Sequence, residues 1–226
     1  MNKKTVYIDM DGVIVNFQTG IDRLSAEVRA QFPNDKNIDE AEGIFGLMDP
    51  FEGAVEAVVK LANSDKLDVF ILSTAPWRNP SAWSDKLAWI QDHFGEDEDS
   101  PLYKRVILSH RKDLNQGDFL IDDRKKNGAE DFGGLHIHFG EANEKEQRDG
   151  SFPDWDSVLK YFRDQDLLDD RWDDILEWVD VSEDSDGFHI EDDVEKHYWR
   201  GYNLGYRGKT LDDYVNRHLS GSGEEK

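Results

Sequence analysis

The chain has 226 residues, with 27 Lys and Arg against 50 Asp and Glu, a formal net charge of −23 and no Cys. That balance argues against a nucleic-acid binder, which needs cations to release counterions from phosphates, and against docking on anionic membranes. Lack of Cys removes disulfides, thiolate zinc sites and Cys nucleophiles, while 37% hydrophobic and 12% aromatic residues suffice for a packed core. The start leads straight into an apolar run, without a signal-peptide core, and no stretch of 18 apolar residues follows. The expected compartment is therefore the cytoplasm.

Short apolar runs alternate with helix-period stretches. The runs are Thr5–Ile8, Leu67–Leu72, Arg105–Leu108, Phe119–Ile121 and Leu135–Phe139. Bounded by polar residues, they read as buried parallel strands. Between and after them, Val55, Val58, Val59 and Ala62, then Trp83, Leu87, Ile90 and Phe94, and finally Val158, Leu159 and Phe162 give amphipathic helices. The pattern predicts an α/β fold, an open parallel Rossmann-like sheet with helices on both faces.

Residues 16–50 interrupt that alternation. Phe17, Ile21, Leu24, Val28 and Phe32 share one helical face, Pro33-Asn34 stops it, and a weaker helical piece follows from Ile38 to Met48. This predicts a small helical cap insert over the sheet. The core with its insert is expected to span residues 1–162. Residues 163–226 hold 19 acids and 8 bases, against 31 and 19 in the first 162. Three apolar stripes predict an acidic helical extension over 163–219, packed on the core or on a second copy of it as a homo-oligomer. Residues 220–226 read as a disordered tail.

The chemistry-bearing residues fall at strand ends. Asp9 closes the first run and Asp11 stands two residues on, in a turn that Gly12 permits. One such carboxylate can attack a phosphoryl group while the other moves a proton. Ser73-Thr74 ends the second run, where hydroxyls and loop amides can hold phosphate oxygens. Lys86 lies in the following helix and Lys112 after the third run. Asp122-Asp123 ends the fourth, an adjacent acidic pair that is unfavourable without a cation.

In that order, these residues resemble the haloacid dehalogenase-like superfamily. Pro50–Val58, Lys86-Leu87-Ala88-Trp89 with Phe94-Gly95, Leu120-Ile121-Asp122-Asp123-Arg124 with Gly128-Ala129-Glu130, and Phe17 resemble its 5'(3')-deoxyribonucleotidase family. The resemblance covers about residues 5–162. It implies Asp9 as a nucleophile that becomes an aspartyl-phosphate and Asp11 as the acid and base. It also implies Ser73, Thr74, Lys86 and Lys112 as phosphate ligands, and a magnesium site on Asp9, Asp11, Asp122 and Asp123. Two departures stand out: the insert is shorter than in the animal enzymes, and Ala75–Pro80 differs from theirs.

Electrostatics point to a metal independently. Each like-charge pair at ~4 Å costs roughly 4 kcal/mol at an effective dielectric of about 20, and two lysines cannot offset several such terms. An all-oxygen site suits Mg²⁺. His136 and His138, alternating along a strand, read as half-buried strand residues rather than ligands. Phe17, Phe45 and Trp77 are expected to enclose a nucleobase. The expected function is thus a Mg²⁺-dependent phosphomonoesterase acting on a small-molecule phosphate monoester, a 5'-nucleotidase. The alternatives are a phosphatase or phosphotransferase for another small phosphate ester, and a non-catalytic acidic nucleic-acid mimic.

Overall fold

The computed structural model describes residues 2–145 and 147–168. Five parallel strands form one sheet: β1 (Lys4–Ile8), β4 (Leu67–Ser73), β5 (Val106–Leu108), β6 (Phe119–Asp122) and β7 (Leu135–His138), in the order β5-β4-β1-β6-β7. β1 is central. Its last residue, Ile8, is in register with Ile71 of β4 and Ile121 of β6, so the carboxyl ends of three strands lie side by side. Each strand matches an apolar run of the sequence to within a residue or two. Doubly buried strands have no polar face to blur the pattern.

Alternate residues divide into two cores. Val6, Ile8, Val69, Ile71, Ile121 and Ile137 pack in one cluster with α3 (Ala54–Ala62), α4 (Ser81–Phe94) and α5 (Trp155–Asp164). Tyr7, Leu72 and Leu120 face the other way, onto Ala129 and Phe132. Among the described residues, this second face is roofed by the 3₁₀ turns Lys112–Leu114 and Ala129–Asp131, not by the helices expected on both faces. The segments joining β5 to β6 and β6 to β7 are too short and too rich in Gly, Asn and Asp to build an amphipathic helix.

The insert differs from the expected long helix. It opens with a two-residue strand β2 (Val15–Asn16), paired antiparallel with β3 (Asp49–Pro50) at its close. The apolar stripe is broken into α1 (Phe17–Arg23) and a single turn, α2 (Ala26–Arg29). Leu24 takes extended backbone angles, and the Ser25 hydroxyl accepts from the Val28 N–H to start α2 afresh. Ser25 thus acts as a cap within an otherwise regular stripe. The piece from Ile38 to Met48 is two 3₁₀ turns, Ile38–Glu40 and Ile44–Gly46. Gly20 lets this piece close onto α1, since a Cβ there would lie 3.1 Å from both the Ile44 carbonyl oxygen and the Met48 Cγ.

α5 is held at its start by a capping box between Asp154 and Ser157. It continues to Asp164, and Leu168 is still buried in the core. The expected helical stripes and tail over 169–226 lie outside the described residues. Among the described residues, no helix is long and apolar enough to cross a membrane.

One contact of α5 bears on the site. The Trp155 indole N–H donates to the Val13 carbonyl at 3.0 Å, in the turn after β1. Trp155→Phe keeps most of the ring but leaves that buried carbonyl unpaired. It should lower unfolding stability by about 1–3 kcal/mol, read by urea denaturation.

Candidate active site

The turn after β1 winds around one carbonyl. The N–H groups of Ile14 and Val15 donate to the Met10 oxygen at 2.9 and 3.0 Å, and Gly12 donates to Val15. Gly12 has φ +76°, and a Cβ there would meet Asp123 Oδ2 at 2.5 Å. Glycine is therefore needed both for the backbone angle and to make room for a carboxylate. The Asp9 carboxylate is aimed from two sides: Oδ1 accepts from the Met10 N–H at 2.7 Å and Oδ2 pairs with Lys112 Nζ at 2.8 Å.

Every acid, lysine and hydroxyl singled out from the sequence converges here. Lys112 starts a 3₁₀ turn and its buried ammonium bridges Asp9 and Asp122. Lys86, also buried, reaches from α4 to Asp11 Oδ2 at 2.6 Å and the Ser73 hydroxyl at 3.0 Å. Its Nζ stands 4.6 Å from the centre of the Phe45 ring. Ser73 is fully buried and is engaged by Lys86 and Asp9. Thr74, one residue on, lines the pocket and donates its hydroxyl to the Ser109 carbonyl at 2.8 Å.

The four acids respond differently to this setting. Burial opposes ionisation of Asp9, but Lys112 and Lys86 outweigh it and hold the carboxyl below its usual range. Burial raises Asp11; Lys86 opposes the shift and neighbouring Asp9 adds to it. Asp122 is pushed up to about 7 by burial and by Asp9, against Lys112. Asp123 is pushed up to about 6 by burial, with Arg124 opposing and Asp9 adding.

One oxygen from each of Asp9, Asp122 and Asp123 lies within 4.8 Å of the others. Asp11 Oδ1 and Asp123 Oδ1 are buried with no hydrogen-bond partner. Close carboxylates with orphaned oxygens, one of them seated against Gly12 where a Cβ would displace it, fit a hard divalent cation. The strand histidines take no part in this cluster as ligands. His136 and His138 instead contact the carbonyl oxygens of Asp122 and Asp123 through Nε2 at 3.3 and 3.0 Å. Burial lowers both, His136 to about 4.

A pocket of about 450 Å³ opens over Asp11. Phe17, Phe45 and Trp77, picked out from the sequence, all line it. Phe45 is buried and packs on Phe17 with ring centres 5.8 Å apart, whereas Trp77 is 87% exposed and meets His110 edge-on. The sequence reading missed Ile38, Asp39, His110 and Asn127 in this wall. His110 carried a usable signal, since it directly follows a strand-end Ser. Arg124 also lines the pocket while its Nε pairs with Asp123 Oδ2 at 3.3 Å.

Comparison with known proteins places the chain in a family. The family model described as "5' nucleotidase, deoxy (Pyrimidine), cytosolic type C protein" matches residues 35–160. This chain belongs to the 5'(3')-deoxyribonucleotidase family. A protein of Vibrio phage KVP40 that bears the name 5'(3')-deoxyribonucleotidase by inference is 48% identical over 160 residues, 71% of this chain and 85% of its own. The mouse mitochondrial 5'(3')-deoxyribonucleotidase is 31% identical over 147 residues, 53% of this chain and 64% of its own. Among solved structures, a haloacid dehalogenase-like hydrolase from Burkholderia xenovorans LB400 aligns over 66% of this chain and 90% of its own, at 12% identity and a TM-score of 0.37. As a 5'(3')-deoxyribonucleotidase family member, the chain is a phosphoric monoester hydrolase, a nucleotide phosphatase.

The raised acids fix a sign for the pH response. In the fold Asp122 keeps its proton up to about 7 and Asp123 up to about 6, whereas the unfolded chain has released both above about 4. Their contribution to stability is therefore greatest below pH 4 and declines as pH rises through 6 and 7. A divalent cation competes with these protons. The rise in melting temperature on adding Mg²⁺ should accordingly be larger at pH 8 than at pH 5, up to about 2.7 kcal/mol of stabilisation at ~100 times Kd. Differential scanning fluorimetry of the chelator-treated protein checks both signs.

Proposed function

We propose that this chain hydrolyses (deoxy)ribonucleoside 5'-monophosphates through an aspartyl-phosphate on Asp9. The observation that carries the reading is the divergence of two acids two residues apart. Asp9 is held ionised by Lys112 and Lys86, while Asp11, at the pocket, is pushed toward its protonated form. Such a split suits a nucleophile beside a proton donor.

An Asp9 carboxylate oxygen attacks phosphorus as the bond to the nucleoside oxygen breaks, and Asp11 gives its proton to that leaving oxygen. Asp11, now a carboxylate, takes a proton from a water that attacks the aspartyl-phosphate. Phosphate leaves and both acids return to their starting states. Lys112 and Lys86 supply positive charge where phosphate oxygens would gather, and Ser73 keeps Lys86 in place. Thr74 borders the same space. Asp9, Asp122 and Asp123, with the Asp11 main chain, would hold Mg²⁺, which when bound neutralises charge on the phosphoryl group.

Phe17, Phe45 and Trp77 line the pocket and give it an aromatic wall that suits a base. The pocket volume suits a ligand of nucleotide size. With its net negative charge the chain favours small esters over phosphate polymers, and cytoplasmic action fits this reading.

A phosphate-release screen over deoxy- and ribonucleotides and sugar phosphates, with and without Mg²⁺, tests the assignment. Faster turnover of sugar phosphates, or indifference to Mg²⁺, would overturn it. Asp9→Asn should remove nearly all activity while circular dichroism stays unchanged, and a beryllium fluoride adduct should sit on Asp9. Asp11→Asn should slow nucleotide hydrolysis by about 10²- to 10⁴-fold and that of an activated aryl phosphate much less. Phe17→Ala should raise KM for nucleotides more than for an aryl phosphate.

A further inference from the structure

The segment after β4 does two things at once. Thr74, Pro76 and Trp77 form part of the pocket wall, and two residues later the chain buries an asparagine, only 1% exposed, against the insert. Asn79 spends both amide hydrogens there. Nδ2 donates to the Asp39 carbonyl at 2.9 Å and to the Ala41 carbonyl at 2.8 Å. Its Oδ1 lies 2.8 Å from the Ser81 hydroxyl, whose one proton it shares with Asp85 Oδ2, also at 2.8 Å, and that same hydroxyl accepts from the Gly43 N–H at 2.9 Å. Two carbonyls facing one nitrogen fix which end of the amide is which.

The stretch gripped in this way, residues 39–43, lies between two parts of the pocket. Ile38 and Asp39 are on one side of it and Phe45 on the other. Elsewhere the insert is tied at its base by the β2–β3 pair and, directly before β3, by the Trp89 indole N–H, which donates to the Met48 carbonyl at 2.8 Å. Loss of the Asn79 contacts would therefore free residues 38–43 while the rest of the insert stayed attached. None of these bonds involves Asp9, Asp11, Lys86 or Lys112.

We infer that Asn79 and Ser81 form a clasp that holds the insert against the β4 loop, which makes Asn79 a positioning residue for the nucleoside end of the substrate. This rests on the nucleotide-phosphatase reading above. The clasp couples the two walls of one pocket: the loop that borders the phosphate also sets where Ile38 and Phe45 stand. Removing the amide leaves the half-buried Asp39 carbonyl without its donor and the buried Ala41 carbonyl with only the longer bond from the Ile44 N–H, at 3.3 Å, and the insert relieves them by moving toward water.

Asn79→Ala and Ser81→Ala test it together, since the second keeps the Asn79 amide and is the milder change. Hydrogen exchange should quicken at residues 38–46 in both variants and stay unchanged in β1 and β6. KM for a deoxynucleotide should rise about 10- to 100-fold, with KM and kcat for a small aryl phosphate within about twofold of the parent. Unchanged exchange at 38–46 in both variants overturns the clasp. So do equal losses on the two substrates, which would make Asn79 an ordinary core contact. If the parent protein hydrolyses aryl phosphate but no nucleotide, the substrate reading fails separately, and the exchange result alone decides the clasp.

Discussion

Two buried ammonium groups hold together a cluster of carboxylates that would otherwise drive itself apart. Asp9, Asp11, Asp122 and Asp123 meet where β1 and β6 end, and at such spacing each like pair opposes the fold by several kcal/mol. Lys112 stands between Asp9 and Asp122, and Lys86 against Asp11. Neither lysine is a local neighbour: one comes from a 3₁₀ turn beyond β5, the other from the middle of α4. The sheet order is what brings them within reach. Taking away one partner of such a buried pair typically costs about 3–5 kcal/mol, so this charge lattice is structural and chemical at once.

The lattice also explains why the acids behave unlike one another. Asp9 feels both Lys112 and Lys86, has a main-chain donor as well, and stays charged. Burial raises both Asp122, which shares its lysine with Asp9, and Asp123, which faces the half-exposed Arg124 and, more weakly, Arg148. Position relative to cations, rather than residue type, separates four identical side chains into different roles.

Most of the scaffold was legible because the sheet is buried on both faces and its strands read as plain apolar runs. Strand ends then located Asp9, Asp11, Ser73, Thr74, Asp122 and Asp123 without any contact information. The insert was harder to read. The stripe Phe17, Ile21, Leu24, Val28, Phe32 keeps helical spacing across a break, because each half of the chain still turns its apolar residues to the same core. Periodicity cannot see a cap in mid-stripe; only Ser25 betrayed it. Strands β2 and β3 are two residues each, too short to show alternation. Asn79, Arg124 and Asn127 were not legible as site or insert-holding groups. Asn79 binds main-chain carbonyls, Arg124 pairs with the carboxylate beside it, and the pocket wall that Arg124 and Asn127 join is assembled from distant loops.

The Trp155 contact has a consequence for the order of assembly during synthesis. β1 emerges first yet lies at the centre of the sheet, and its neighbour β6 is made more than a hundred residues later. The turn that carries Asp11 is braced from behind by an indole later still, at residue 155. A nascent chain that has not yet reached β6 holds β1 with one flank open, and one that has not yet reached α5 leaves the turn after β1 unbraced. The end of the sheet that carries the acids is thus among the last parts to set, and a chain released early displays them without the frame that differentiates them. Long-range closure of this kind slows folding, and here it also delays the charged centre until the apolar body is ready to enclose it.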